Sequence, residues 1–234
     1  TRVLRADPMK KGLLYAGTES GLYISFDDGN SWKSFQQNLP IVPITDLTIK
    51  DNSLIVATQG RSLWMIDDLS VLHQLPNSNK NPFLYKPKAT YRLKGSGGQS
   101  SLTMGTNKSN GVEVHFFIPE YNKSSDLIEL SFHDEEGNEI KKFSTSDDIN
   151  KLEVKEGGNL FVWDYKYPGA EKFEGMIMWS ASLNGAKAVP GKYQVRLSVN
   201  NFQSQNTFEI LKSPTSESSV DQMREQFNFV NQIN

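Results

Sequence analysis

The chain has 234 residues, carries a net charge of −2, and contains 37% hydrophobic and 22% charged residues. This balance favours a packed core over disorder. It lacks the basic excess expected of a protein that binds nucleic acid or an anionic membrane. Cysteine is absent, which excludes disulfides, thiol catalysis and cysteine-ligated metal centres. The apolar runs are too short to cross a bilayer, so we expect no membrane span.

A repeat occupies the first part of the chain. Residues 14–24 and 55–66 each contain an apolar segment, a small residue near a threonine, a polar turn and a second segment with an aromatic residue. Thr18 corresponds to Thr58 at an offset of 40, and Leu22 corresponds to Leu63 at an offset of 41. Several short strands repeating at this period are typical of β-propeller blades. We therefore assign residues 1–75 to two blades.

The first repeat ends in the pattern S-x-D-x-G-x-[ST]-W, known as the Asp-box. Its matching residues are Ser25, Asp27, Gly29, Ser31 and Trp32. Gly29 suits a turn position with positive φ, the Asp27 carboxylate can accept backbone N–H groups, and Trp32 is expected to pack under the hairpin. We interpret the motif as a structural turn. A catalytic or calcium-binding role for Asp27 is the less favoured alternative.

Changes in composition divide the rest of the chain. Residues 76–87 have the Asn, Pro and Ser content of a linker, and the glycine-rich residues 95–111 read as a loop. Polarity alternates at residues 112–118, 128–133, 160–167 and 193–199, and shorter strand patterns lie at 140–143, 152–154 and 207–211. Residues 134–138 have the composition of a hairpin loop. Six or seven strands in this span predict a β-sandwich over residues 88–212.

Residues 213–234 are expected to form a polar linker and an amphipathic helix. Val220, Met223 and Phe227 recur at helical spacing, and Ser218 and Asp221 are placed like a capping box. A helix with one apolar stripe needs a partner. It could pack on the sandwich or begin a further domain.

The acidic and basic side chains do not form a recognisable reactive set. Asp67 and Asp68 are adjacent, so on a strand they would point to opposite faces instead of facing each other across a substrate bond. We expect them to stabilise a turn or helix cap. Arg61 is expected to pair with Asp67 or Asp68, with a position facing a propeller channel as the alternative.

Three histidines and an aromatic stripe remain. His115 and His133 lie on predicted strands, but they and His73 suggest no third ligand for a metal site. Trp163 and Tyr165 belong to the aromatic stripe, for which a sandwich core is the default and sugar stacking the functional alternative. The candidate ligand-facing residues are therefore Arg61, Trp163 and Tyr165, and we expect no catalytic residue, metal or cofactor.

Several segments together resemble a family of bacterial BNR/Asp-box propeller proteins. Residues 60–69, GRSLWMIDDL, are similar to a G-R-G-x-W-x-L-D-D-L pattern, with Ser62 in place of the second glycine. Residues 159–168, NLFVWDYKYP, and 190–195, PGKYQV, resemble the N-x-F-x-W-D-L-R-Y-P and P-G-x-Y-x-V patterns of those proteins. The resemblance extends to sortilin-like proteins in the propeller and to flagellar hook-cap proteins in the Ig-like domain.

The resemblance implies the last two blades of a propeller followed by an Ig-like sandwich, within a larger secreted bacterial protein that is periplasmic or extracellular. A non-catalytic structural or interaction region is the favoured function, since a fold alone does not imply chemistry. The alternatives are an accessory region of a glycoside hydrolase whose catalytic residues lie upstream, and part of a sortilin-like peptide receptor. The expected partners are upstream blades and a glycan or peptide ligand, with the oligomeric state left open.

Overall fold

The computed structural model describes residues 1–76, 80–93, 110–171, 175–177 and 183–233. Within these ranges it contains fifteen β-strands and two helices, which confirms the predicted all-β class. Neither of these two helices is long and apolar enough to cross a membrane. The chain divides into two compact units, Thr1–Leu75 and Pro76–Asn234.

The first unit contains two antiparallel sheets and one short helix. The first sheet has the order β1-β2-β3-β4, formed by Val3–Ala6, Leu14–Thr18, Gly21–Ser25 and Lys33–Ser34. The second has the order β5-β6-β7, formed by Ile44–Lys50, Ser53–Thr58 and Leu63–Ile66. Helix α1, Ser70–Gln74, follows β7 and is not indicated by the sequence pattern.

The two sheets repeat the same three-strand meander, with the same side-chain bond at the second turn. Thr18 Oγ1 donates to the Gly21 carbonyl at 3.0 Å, and Thr58 Oγ1 donates to the Ser62 carbonyl at 2.6 Å. Gly21 and Ser62 both have positive φ. The second turn is one residue longer, which explains the change of offset from 40 to 41. The strand segments predicted from the repeat are confirmed.

A shared hydrophobic core joins the two sheets of the first unit. Val3 of β1, Tyr15 of β2 and Ile44 of β5 are all buried in it. Gly17 lies at a close approach between the sheets, because a Cβ at this position would come within 2.6 Å of Ile44 Cγ2 and 2.7 Å of Val3 Cγ1. Glycine is therefore required here by space, since its φ is not in the left-handed region.

The second unit contains two further sheets and a C-terminal helix. Its strands β8 to β15 are Phe83–Leu84, Thr90–Arg92, Val112–Ile118, Ile128–His133, Glu139–Ser144, Gly157–Trp163, Gly191–Val199 and Phe202–Lys212. One sheet has the order β13-β10-β8 and the other the order β12-β11-β14-β15-β9. Buried residues of both sheets form one core, in which the ring of Trp163 stacks on that of Phe132 at 4.6 Å.

Alternating burial along β10 and β14 confirms the strands predicted from their alternating polarity. The hairpin loop is also confirmed, because the Gly137 N–H donates to the Asp134 carbonyl and Gly137 has positive φ. Two other predictions need correction. Leu152 and Val154 do not begin a strand, and the strand predicted at 207–211 extends back to Phe202. The parallel pairing of β9 with β15 was not predicted, because the hairpin patterns in the sequence indicate only antiparallel pairs.

The predicted linker at 76–87 is wrong at its end. Phe83 and Leu84 form β8, which pairs with β10, and Leu84 and Tyr85 are buried. The proline and asparagine content of the preceding residues conceals this short strand. Of the linker, residues 77–79 lie outside the described part of the chain, as does the predicted glycine-rich loop except for residues 110 and 111.

The C-terminal helix α2, Val220–Ile233, is confirmed, but its cap is one residue later than predicted. Ser219 Oγ accepts the Gln222 N–H at 3.1 Å, and Gln222 Oε1 accepts the Ser219 N–H at 2.9 Å. A capping box uses Glu or Gln at its fourth position, so Gln222 takes this role and Asp221 does not. The ring of Phe227 meets that of Tyr167 edge-on at 4.7 Å, so the helix packs on its own unit.

Candidate functional site

The Asp-box forms a closed hydrogen-bonded turn. Asp27 Oδ1 accepts the Ser25 hydroxyl and the Ser31 N–H, each at 2.8 Å, and Asp27 Oδ2 accepts the Ser31 hydroxyl. Gly29 has the expected positive φ, and its N–H donates to Ser25 Oγ at 2.9 Å. Trp32 donates its indole N–H to the Gly29 carbonyl at 3.0 Å. Its side chain is partly exposed, so it borders the turn and is not enclosed beneath it.

The hydrogen bonds that Asp27 accepts are sufficient to explain why a carboxylate is present at this position. The hydrogen bonds from the Ser31 hydroxyl, the Ser31 N–H and the Ser25 hydroxyl lower the pKa of Asp27 to about 2. A group so strongly held as an acceptor is poorly suited to proton transfer near neutral pH. Among the described residues, no three His, Asp or Glu side chains are grouped to hold a metal ion.

A buried carboxylate in the first unit is missing from the sequence predictions. Asp7 Oδ2 lies 2.9 Å from His73 Nε2 and accepts the Tyr15 hydroxyl at 3.0 Å. Its Oδ1 accepts the N–H groups of Met9 and Lys10. Burial favours the neutral acid, but the hydrogen bonds from His73, the two N–H groups and Tyr15 outweigh it and lower the pKa of Asp7.

The Asp7 cluster ties helix α1 to the first sheet. His73 lies on α1, whereas Asp7 follows β1 and Tyr15 lies on β2. The Lys10 ammonium adds a second tie, because it donates to the Leu72 carbonyl at 2.9 Å. Burial, followed by the charge of Asp7, raises the pKa of Tyr15, so Tyr15 remains a neutral donor. The cluster is saturated internally and has the properties of a structural clamp.

The adjacent carboxylates after β7 also stabilise local structure. Asp68 Oδ1 accepts the Ser70 N–H at 2.9 Å and the Asn52 side-chain amide at 2.7 Å. The predicted turn or cap role is therefore confirmed for Asp68. The predicted ion pair of Arg61 is wrong. Arg61 precedes β7 and Asp67 follows it. Within the described residues the Arg61 guanidinium donates to the neighbouring Gly60 carbonyl at 3.4 Å, and the Arg61 carbonyl accepts the Trp64 indole N–H at 2.7 Å.

The two aromatic candidates for ligand stacking are buried. Trp163 packs among Phe132, Tyr193 and Phe208, and its indole N–H donates to the Lys166 carbonyl at 3.2 Å. Tyr165 is also fully buried and donates its hydroxyl to the Tyr91 carbonyl. A side chain with no exposed face cannot stack on a sugar, so the ligand-facing assignment of Trp163 and Tyr165 is corrected. Of the three candidates, Arg61 alone is exposed.

The histidines lie far apart in the topology. His73 belongs to the Asp7 cluster, His115 lies on β10 of the three-stranded sheet, and His133 lies on β11 of the five-stranded sheet. His133 lies on the polar face of its strand, in register with Glu139 and Gln194, but its side chain is buried. It lies 2.9 Å from the Ser131 hydroxyl through Nε2 and 3.2 Å from the Gly137 carbonyl through Nδ1. Since a carbonyl only accepts, Nδ1 carries the proton and Ser131 donates to Nε2.

The pair Ser131–His133 belongs to a polar face formed by three rows of side chains across the five-stranded sheet. Strand register aligns each row over β12, β11, β14 and β15 in that order. The middle row contains Lys142, Ser131, Arg196 and Gln205. The flanking rows contain Glu139, His133, Gln194 and Thr207 on one side, and Ser144, Glu129, Ser198 and Gln203 on the other.

Part of this polar face forms a groove of about 430 Å³, which we call the Arg196 groove. It is lined by Ser131, His133, Lys142, Arg196, Gln203 and Gln205, together with Glu129, Glu139 and Ser198. Lys142 Nζ lies 3.0 Å from Glu129 Oε1, and the hydrogen bond and charge of Glu129 raise the pKa of Lys142. Burial, followed by the charge of Arg196, lowers the pKa of His133.

Arg196 is the unusual residue of the groove. It is half-buried, and one terminal nitrogen donates to Gln194 Oε1 at 3.3 Å. Its Nε is buried without a hydrogen-bond partner among the described residues. A buried donor left without an acceptor is energetically unfavourable. In addition, no carboxylate among the described residues forms an ion pair with this guanidinium.

The Ser131–His133 pair resembles a nucleophile and its base in geometry, but it has weak support as a catalytic centre. His133 is oriented by the carbonyl of Gly137, which is neutral. In a catalytic triad a carboxylate takes this place and stabilises the imidazolium that forms when the histidine accepts a proton. The imidazole is also buried, which limits proton delivery to a leaving group. The spacing Ser-x-His on one strand face was visible in the sequence, whereas the neighbouring Arg196 depends on strand order.

Comparison of the chain with protein families, curated proteins and solved structures gives no match.

Proposed function

We propose that this chain is a non-catalytic structural and interaction region of a larger secreted bacterial β-propeller protein. In this proposal the first unit is the last two blades and the second is an Ig-like sandwich. The repeated meander with matching Thr18 and Thr58 bonds supports the blade assignment. Two sheets packed over a buried tryptophan support the sandwich assignment.

The observation that carries the interaction role is the outer edge of β7. In the first sheet β4 covers the edge of β3, but in the second sheet β7 is the last strand. Leu63 and Met65 of β7 are 72% and 59% exposed. An uncovered edge strand with apolar side chains is a template for pairing with another strand, so β7 is the position where a further strand of the larger protein would add.

The edge can be tested by sedimentation velocity on the chain and two variants. We expect the wild type to self-associate through β7, because an unpaired edge pairs with any available strand. The double variant Leu63→Lys/Met65→Lys should remain monomeric, since charge on an edge opposes pairing. Met9→Lys, which changes an exposed apolar residue in the loop between β1 and β2, serves as the matched control.

A wild type that stays monomeric at every concentration, or variants that all associate equally, would count against the interaction role of β7. Hydrolysis of a glycan or peptide by this chain would count against the non-catalytic role. The glycoside-hydrolase alternative places its catalytic residues upstream, so it is tested on a longer protein that carries the upstream blades. Absence of glycan hydrolysis by that longer protein would remove this alternative.

A further inference from the structure

The Arg196 groove supports an inference that goes beyond the proposed function and does not depend on it. We propose that the groove binds an acidic sugar, with Arg196 holding the sugar carboxylate. The proposal rests on the charge balance of the groove, the chemistry of its lining and the position of Arg196 at its centre.

The charge balance leaves Arg196 available to a ligand. Lys142 is matched by Glu129 at 3.0 Å, and His133 is kept neutral by burial and by Arg196 itself. Among the described residues, Arg196 forms no ion pair with a carboxylate, and its buried Nε has no acceptor. The planar guanidinium matches the two oxygens of a carboxylate better than any other common anion-binding side chain.

The two acidic side chains of the groove favour a ligand that brings one negative charge close to Arg196 over a ligand that brings several there. Glu139 lies opposite His133, and Glu129 lies one row away from Arg196. Both repel a dianionic phosphate or a dense polyanion more strongly than a single carboxylate. The groove therefore selects a ligand whose carboxylates are spaced far enough apart for one of them to reach Arg196 between these two residues.

The rest of the lining matches a ligand rich in hydroxyl groups. Gln203, Gln205 and Ser198 each combine donor and acceptor capacity, as sugar hydroxyls do. The groove is lined by polar side chains and Leu197, with no aromatic ring. Stacking of nucleic-acid bases, which requires aromatic platforms, therefore has no support at this site. An ordinary solvated sheet face would contain the same residue types but would show no preference between ligands.

The test uses isothermal titration calorimetry with two probes that differ only in charge. Tetragalacturonate supplies carboxylates, and its fully methyl-esterified form retains the same ring hydroxyls without charge. We expect the acid form to bind the wild type at least tenfold more tightly than the ester, and the acid affinity to decrease with added salt. Equal affinity for both probes, or no binding of either at millimolar concentration, would overturn the proposal.

Substitutions then assign the binding to Arg196. Arg196→Gln should weaken tetragalacturonate binding at least tenfold, and Arg196→Lys should retain part of the affinity. Lys192→Gln is the matched control, because Lys192 is an exposed cation on the same strand but outside the groove. It should change the affinity less than twofold. An equal loss in both glutamine variants would show non-specific attraction and overturn the proposal.

Two further measurements keep the proposal open to refutation. If Arg196→Gln does not fold, Gln205→Ala replaces it as the test variant, because it removes an exposed amide next to Arg196 in the same row. Gln205→Ala should weaken tetragalacturonate binding several-fold. Unchanged affinity would count against binding in the groove. A tetra-aspartate peptide that binds as tightly as tetragalacturonate would overturn the sugar assignment, because it would show that the hydroxyl-matching side chains contribute nothing.

Discussion

Replacing Trp163 with alanine distinguishes a core residue from a ligand-stacking residue. A tryptophan buries roughly 150–250 Å², which at about 25 cal/mol per Å² corresponds to about 4–6 kcal/mol. Truncation of buried aromatic residues usually lowers the free energy of unfolding by about 3–5 kcal/mol. The ring is fully buried, and the centroids of four other aromatic rings of its own core lie within 6.5 Å of its centroid. We therefore expect a loss of about 4 kcal/mol in the second unit.

Amide hydrogen exchange of β14 at increasing urea measures this loss, because it reports the unfolding of the second unit separately from the first. Leu160→Ala is the control, since Leu160 lies on the same strand but is 55% exposed. Its effect should stay within about 0.5 kcal/mol. An equally small effect of Trp163→Ala would contradict its place in the core, because a surface stacking residue would behave in that way.

Three further predictions concern other parts of the chain. Gly17→Ala should destabilise the first unit by about 1–3 kcal/mol in urea titrations, because the new Cβ meets Ile44. An effect below about 0.5 kcal/mol would contradict the close approach of Gly17 to Ile44. Because the pKa of Asp27 is lowered to about 2, its contribution to stability is present above its ordinary pKa and disappears as the pH falls towards 2. Asp27→Asn should therefore flatten this part of a plot of unfolding free energy against pH. An unchanged slope would contradict the hydrogen bonds that Asp27 accepts in the turn. Ser219→Ala should lower the stability of α2 by about 1 kcal/mol, measured by exchange of its first amides, and equal exchange rates would contradict the cap.

Period-2 alternation predicts β10 and β14 well because successive side chains of a strand point to opposite faces. The same rule is insufficient for the aromatic stripe. It places Phe161 and Trp163 on one face, but it does not specify whether that face meets solvent or a second sheet. Tyr165 lies beyond the strand end with positive φ and is nevertheless buried, so its environment depends on the surrounding fold.

Long-range contacts explain what the sequence could not predict about the candidate sites. Asp7 and His73 are 66 residues apart, and no local pattern joins them. Arg196 lies beside Ser131 only because β14 pairs with β11, two strands that are not consecutive in the chain. By contrast, the Asp-box turn was predictable because Ser25, Asp27 and Ser31 bond within one short segment.

In the proposed function, β7 is the edge to which the larger protein adds a strand. Amide hydrogen exchange of Leu63–Ile66, compared between this chain and a longer protein carrying the upstream blades, tests it most directly. We expect faster exchange in this chain and clear protection in the longer protein. Equal exchange rates in the two would contradict it.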